Sequence, residues 1–197
     1  MILATQNRHK LAEMVELLPA LDLRPLPPEV ELPPEDGDSF EANALIKARA
    51  AHGATGEPVV ADDSGIAADD LDGAPGIYSA RYAGAGASDE ENLAKLLREV
   101  DAAGGERRAA YVCALALIDE TGEEHVFEAR CEGRLLREPR GEGGFGYDPA
   151  FVPDDTGAAD TRTFSELSIG EKHAISHRGR AARLLADHLG VAAEARP

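Results

Sequence analysis

Lysine, cysteine and long apolar runs are what this 197-residue sequence has least of. Only Lys10, Lys47, Lys95 and Lys172 stand among its 20 basic residues, so a lysine inside a motif carries weight. Basic charge as a whole is short, because 37 Asp and Glu leave a formal net charge of -17. DNA and RNA demand a basic face, and that deficit excludes either as a bulk partner. It does not exclude one small anionic ligand, since a local cluster of Lys and Arg, or a divalent cation, reverses the sign locally. The two cysteines, Cys113 and Cys131, fall inside apparent strands and read as buried free thiols. No apolar run approaches the roughly 18 residues of a membrane helix, and the opening MILATQNRHK lacks a leader pattern. The cytoplasm is the location expected from these absences. What is present is a 43% hydrophobic content, enough for a core. The length suits one domain over residues 1–197, or one domain whose two lobes share a sheet.

MILAT reads as a short buried strand and NRHKLAEMVELLPAL as the helix that follows. Leu11, Met14, Val15 and Leu18 fall on one face at helical spacing, with Asn7 at the N-cap. PLPPEVELPPEDGD is Pro-rich and acidic and predicts a loop. DSFEANALIKARAAHGA predicts a second helix, capped by Ser39 and closed by Gly53, and PVVA a strand that ends at the acids of ADDSG. LDGAPGIYSARYAG is too rich in glycine and proline for a helix or strand and predicts a structured loop. SDEENLAKLLREV is a helix from Ser88 with acids in its first turn. RRAAYVCALALI and EEHVFEARCEGRLL form a hairpin turning at Thr121-Gly122. The last helix begins near Gly170 and runs through EKHAISHRGRAARLLADHL. This order of elements predicts an α/β protein with a mixed sheet.

Four segments carry candidate chemistry. In GEGGFG, Gly141, Gly143 and Gly146 match a dinucleotide fingerprint, but Pro149 forces extended geometry where a helix would have to follow, and that reading fails. A plain glycine turn remains, or a loop whose backbone approaches a ligand closely, with Phe145 and Tyr147 able to stack on a flat base. TQNRHK lies where the first strand meets the first helix, so Thr5 and Asn7 can bond phosphate oxygens and Lys10 can reach them; an ordinary N-cap with a surface lysine accounts for the same residues. Lys172, His173, Ser176, His177, Arg178 and Arg180 make a basic cluster in an acidic chain. His173 and His177 share a helix face at a spacing that zinc sites use, yet a third ligand is missing, so a phosphate or base contact is the more natural reading beside a merely charge-balancing face. Asp62 and Asp63, at the end of a strand, point to opposite faces, one towards a ligand site and the other towards a helix or water. A carboxylate there suits magnesium or a general base for water, and also suits a turn cap.

Together TQNRHK, SFEANALIKARAA, ADDSG, GAPGIYSARYAG, GEGGFGYDP, TFSEL and KHAISHRGRA, in this order, resemble the inosine triphosphate pyrophosphatase family from Leu3 to about Leu185. The resemblance implies an α/β fold with a long mixed β-sheet flanked by helices, two lobes and a central nucleotide cleft, in a homodimer. It implies Mg²⁺-dependent hydrolysis of non-standard purine triphosphates (ITP, dITP, XTP) to the monophosphate and pyrophosphate. Carried over by motif, Asp63 is the proton acceptor and a metal ligand, Glu35 in PEDG is the second metal ligand, and Ser64 contacts substrate. Thr5, Gln6, Asn7, Arg8, His9 and Lys10 hold phosphates, and Phe145, Gly146, Tyr147 and Asp148 with Lys172, His177 and Arg178 surround base, sugar and phosphates. Two other readings are kept. A Maf-like pyrophosphatase of modified or pyrimidine nucleotides is separated by a substrate panel, and a nucleotide-binding sensor by tight ITP binding without product.

Overall fold

Asn7 starts the first helix by accepting hydrogen bonds from the backbone N–H groups of His9 and Lys10. That helix, α1 (Arg8–Leu17), follows the strand β1 (Ile2–Ala4) and stops two residues before Pro19, which disfavours helical geometry in its predecessor. Met14, Leu17 and Leu18 form its buried stripe, whereas Val15 is 44% exposed. Of the expected face, Leu11, Met14 and Leu18 do pack into the core, and only Val15 fails, because it falls outside the arc that Met14 makes with i+3 and i+4. The structure is a computed structural model and describes residues 1–193; the last four residues of the expected 1–197 domain lie outside the described residues.

After the two-residue strand β2 (Arg24–Pro25) and the Pro-rich loop comes α2 (Phe40–Thr55), capped by Ser39. It runs past Gly53 and ends at Gly56, the residue that takes the left-handed conformation at φ 66°, so the expected closing glycine moves three residues on. The strand β3 (Val59–Ala68) carries the largest correction. Rather than ending at ADDSG, it passes through all of it, and the two aspartates sit in mid-strand. Gly76–Arg81 is a 3₁₀ helix inside the segment expected as a structured loop. α3 (Asp89–Ala103) begins with a complete Ser88–Glu91 capping box. β4 (Arg108–Ile118) and β5 (Glu124–Leu135) are the expected hairpin, turning at Gly122. β6 (Phe151–Pro153) leads to α4 (Ile169–Ile175) and α5 (His177–Leu189). One long final helix was expected, but Ser176 takes extended geometry at ψ 157° and breaks it in two.

The strands form one mixed sheet in the order β2-β1-β3-β4-β5-β6. β1 pairs in parallel with β2 and β3, and β6 pairs antiparallel with β5. By packing, the described residues divide into two compact units, the first comprising residues 1–63, 113–129 and 178–193 and the second residues 64–112 and 130–177. β3, β4 and β5 each pass from one unit to the other. The first unit packs both faces of its sheet. Leu3, Val60, Cys113, Leu115 and Leu117 meet Met14, Leu17, Ala182 and Leu185, while Ile2, Val59, Ala61, Ala114 and Ala116 meet Ala44, Ala48 and Ala51. In the second unit Ile66, Leu96, Val100, Tyr111, Phe151 and Phe164 form the core.

Candidate active site

Strand alternation sends Asp62 and Asp63 to opposite faces of the first unit's sheet, and both are buried. Asp62, fully buried, lies on the face of Val60 and Cys113. Its carboxylate forms an ion pair with Lys10, and Arg178 Nε stands 3.5 Å from its Oδ2. The Cys113 thiol donates to the same oxygen at 3.4 Å. Arg178, itself buried, donates through Nη1 to Glu13 Oε2 at 2.8 Å. Burial would push the Asp62 pKa up, but Lys10, then Arg178 and Lys47, outweigh it and hold the acid well below the usual carboxylate range. The Cys113 thiol is pushed far up by burial and by the neighbouring carboxylate, so it stays protonated.

Asp63 faces α2. Lys47 projects from the Ala44–Ala48–Ala51 stripe of that helix, donates to Asp63 Oδ1 at 3.4 Å, and forms an ion pair with Glu35. Glu35 is delivered by the PEDG loop, which Asn43 anchors by accepting from the Gly37 N–H at 2.9 Å. Burial raises the Asp63 pKa above the ordinary value, with Lys47 opposing and Glu35 reinforcing the shift. Lys47 is itself raised, since Asp63, Asp62 and Glu35 overcome the burial that would lower it. Asp63 Oδ2 is buried without a hydrogen-bond partner among the described residues. A solvent-excluded carboxylate oxygen with an open lone pair, beside a second carboxylate, is a donor set that fits Mg²⁺, a hard cation bound through oxygen. A second group of possible metal ligands, Asp119, Glu123 and His125, lies at the β4–β5 turn. There Asp119 Oδ1 already accepts from the backbone of Thr121 and Glu123, which is the work of a turn acid.

In the second unit the polar centre is Asp148, buried in a 3₁₀ turn just before β6. Its Oδ1 accepts from the Tyr111 hydroxyl at 2.9 Å, and its Oδ2 accepts from Lys172 Nζ at 2.9 Å and from Phe145 N–H at 3.0 Å. The glycine loop passes close to this carboxylate at Gly144. A Cβ on Gly144, already at φ +71°, would stand 2.2 Å from Asp148 Oδ2. Lys172 Nζ lies 5.3 Å from the Phe145 ring centroid and 5.7 Å from that of Phe164. The His177 imidazole is stacked on Tyr111.

The expected residues therefore fall into two groups. In the first unit Lys10 and Arg178 gather on Asp62 at one face of the sheet, and Glu35 and Asp63 gather on Lys47 at the other; in the second unit Phe145 and Lys172 meet at Asp148, and Tyr111 joins His177 to it. Gln6, Arg8 and His9 are exposed at the start of α1, where Asn7 caps the helix and Thr5 accepts from the Asn7 N–H. Ser64 follows Asp63 in β3 and is half-buried, as is Gly146, whose N–H donates to Asp89. Tyr147 departs from the stacking expected of it. It is buried, its hydroxyl donates to Ser79 O at 2.7 Å, and its ring belongs to the core. The zinc spacing of His173 and His177 also fails, because the break at Ser176 puts them on different helices.

Lys47, Glu13, Asn43 and Tyr111 were not anticipated. Lys47 had a readable signal, a lone charge on a helix face otherwise made of alanine. Glu13 and Tyr111 had none, since each resembles an ordinary helix acid or strand aromatic until its distant partner is known.

A family model described as the Ham1 family matches residues 1–188. The chain is 48% identical over 198 residues to a dITP/XTP pyrophosphatase of Geobacter sulfurreducens, covering 96% of each. It is 48% identical over 204 residues to one of Mycolicibacterium paratuberculosis, covering 100% of this chain and 98% of the relative. Among solved structures, a HAM1 protein from Coxiella burnetii superposes with a TM-score of 0.85 at 43% identity, covering 96% of this chain and 97% of that one. The Staphylococcus aureus Ham1 protein gives 0.84 at 37% identity, with the same coverage. Matched over nearly its whole length in motif, sequence and fold, the chain belongs to the Ham1 family.

Proposed function

We propose that the protein hydrolyses non-standard purine nucleoside triphosphates, dITP, ITP and XTP, to the monophosphate and pyrophosphate, and so cleanses the nucleotide pool in the cytoplasm. The relatives named dITP/XTP pyrophosphatase support this reading. The observation that carries it is Asp63, a buried carboxylate with one oxygen on Lys47 and the other open, beside Glu35.

Water attacking the α-phosphorus must overcome the repulsion of a polyphosphate carrying about four charges, so catalysis is chiefly positioning and charge neutralisation. Asp63 accepts the proton of the attacking water, a role that its raised pKa suits. Asp63 and Glu35 would hold Mg²⁺, which when bound draws charge from the phosphates and acidifies water. Lys10, paired with Asp62, faces the developing negative charge, and the residues from Thr5 to His9 bind phosphate oxygens around it. Lys47 holds both acids in place. Contacts to base and sugar are assigned to Phe145, Asp148, Lys172 and His177. Selectivity rests on the six-position, where an oxo group accepts a hydrogen bond that the amino group of adenine cannot, leaving a protein donor unpaired. Such a bond rejects the wrong group by about 10⁴–10⁵. A homodimer is the assembly carried over from the family resemblance, and light scattering tests it.

Purified protein incubated with dITP and Mg²⁺ should release dIMP and pyrophosphate, and a nucleotide panel should rank dITP and XTP above dATP and the pyrimidines. Orthophosphate as the first product would contradict the proposal.

A further inference from the structure

Tyr111 is assigned no role by the motifs or the family resemblance, yet it touches the functional groups of the second unit on two sides of its chemistry. From β4 its ring lies nearly parallel to the His177 imidazole, with centroids 4.5 Å and planes 6° apart. Phe164 stacks on it at 5.7 Å, and Phe151 meets it edge-on at 4.9 Å. The hydroxyl donates to Asp148 Oδ1 at 2.9 Å. Lys172 and the Phe145 N–H occupy the other carboxylate oxygen. A flat ring fixes the imidazole and a phenolic hydroxyl fixes the carboxylate.

We propose that Tyr111 is a positioning residue for nucleotide binding. It locks the Asp148 carboxylate, and through it the Lys172 ammonium, in the orientation that receives base and sugar, while its ring sets the plane of His177. The inference rests on the assignment of Asp148, Lys172 and His177 to the substrate. A carboxylate whose two oxygens accept from three donors on three chain segments cannot turn. Without the hydroxyl, Oδ1 is left buried and short of a donor, the carboxylate rotates to recover one, and Lys172 moves with it. Binding suffers rather than bond cleavage, because the groups that Tyr111 holds, Asp148 and His177, are the ones assigned to base and sugar.

Tyr111→Phe keeps the ring and its stacking and removes only the hydroxyl. Steady-state hydrolysis of dITP with Mg²⁺ is measured for the wild type, Tyr111→Phe, Asp148→Ala and the double variant. For Tyr111→Phe we expect KM to rise about tenfold, the effect of one hydrogen bond to a charged group, with kcat within about threefold of wild type. In the double variant the Tyr111→Phe change should add less than about twofold to the loss from Asp148→Ala, since both remove the same interaction. A packing role would lower the thermal midpoint and leave KM unchanged. That result, additive losses in the double variant, or a Tyr111→Phe chain that does not fold would each overturn the proposal. Wild-type protein without dITP hydrolysis would defeat the functional reading instead. In that event the dITP Kd of the same four proteins by calorimetry decides, and an unchanged Kd in Tyr111→Phe overturns the positioning role.

Discussion

The two units bury their carboxylates by different means. In the first, Glu13, Glu35, Asp62 and Asp63 are held by Lys10, Lys47 and Arg178, charge against charge, with one oxygen of Asp63 left open. In the second, Asp148 has one lysine, one phenol and one backbone amide, with Phe145 and Phe164 beside the lysine. An array held by ion pairs can exchange partners when a cation and a polyanion arrive. A carboxylate fixed partly by neutral donors keeps its place. The first arrangement suits chemistry on a charged phosphate chain, and the second suits recognition of a base.

The comparison breaks first at Asp63. Asp63→Asn should leave the fold and nucleotide binding largely intact while lowering dITP turnover by about 10²–10⁴-fold, the usual range for losing a general base. Retained turnover would remove the distinction between the units. Next in size is Arg178→Met, which strips a buried cation from Glu13 and Asp62. Breaking one side of a buried pair costs about 3–5 kcal/mol, read as a fall in unfolding free energy in urea. Lys172→Met is the matching change in the second unit. Asp148 would keep the Tyr111 hydroxyl and the Phe145 N–H, so a smaller loss, about 1–3 kcal/mol, is expected. Equal losses from the two substitutions would mean that neutral donors do not offset a missing cation here.

Local signals made much of the fold legible. Asn7, Ser39 and Ser88 cap helices as their sequence contexts predict, and Gly122 turns the hairpin. Pro149 announced that no α-helix follows GEGGFG, but the extended geometry expected there is a 3₁₀ turn, Asp148–Ala150. The ADDSG strand was not legible, because Asp, Ser and Gly imitate a turn. Gly65 is there for a different reason, since a Cβ on it would stand 2.3 Å from Ser79 Oγ and 2.6 Å from Gly76 O. Ser79 in turn accepts from the Ile66 N–H at 2.9 Å. That requirement comes from Gly76 and Ser79, 11 and 14 residues away, and leaves no local mark. The break at Ser176 was equally silent, having neither proline nor glycine to announce it. In the candidate site, the family motifs pointed to Lys10, Asp63, Asp148 and Lys172. Lys47 and Tyr111 needed coordinates, because Glu35 and Asp63 lie 12 and 16 residues from Lys47, and Asp148 lies 37 from Tyr111.

The most direct test follows the oxygen of the attacking water. In single-turnover hydrolysis of dITP with Mg²⁺ in ¹⁸O-labelled water, mass spectrometry of the products shows which phosphorus was attacked. The account predicts one labelled oxygen in dIMP and none in pyrophosphate. Label in the pyrophosphate would place the attack on the β-phosphorus and contradict it.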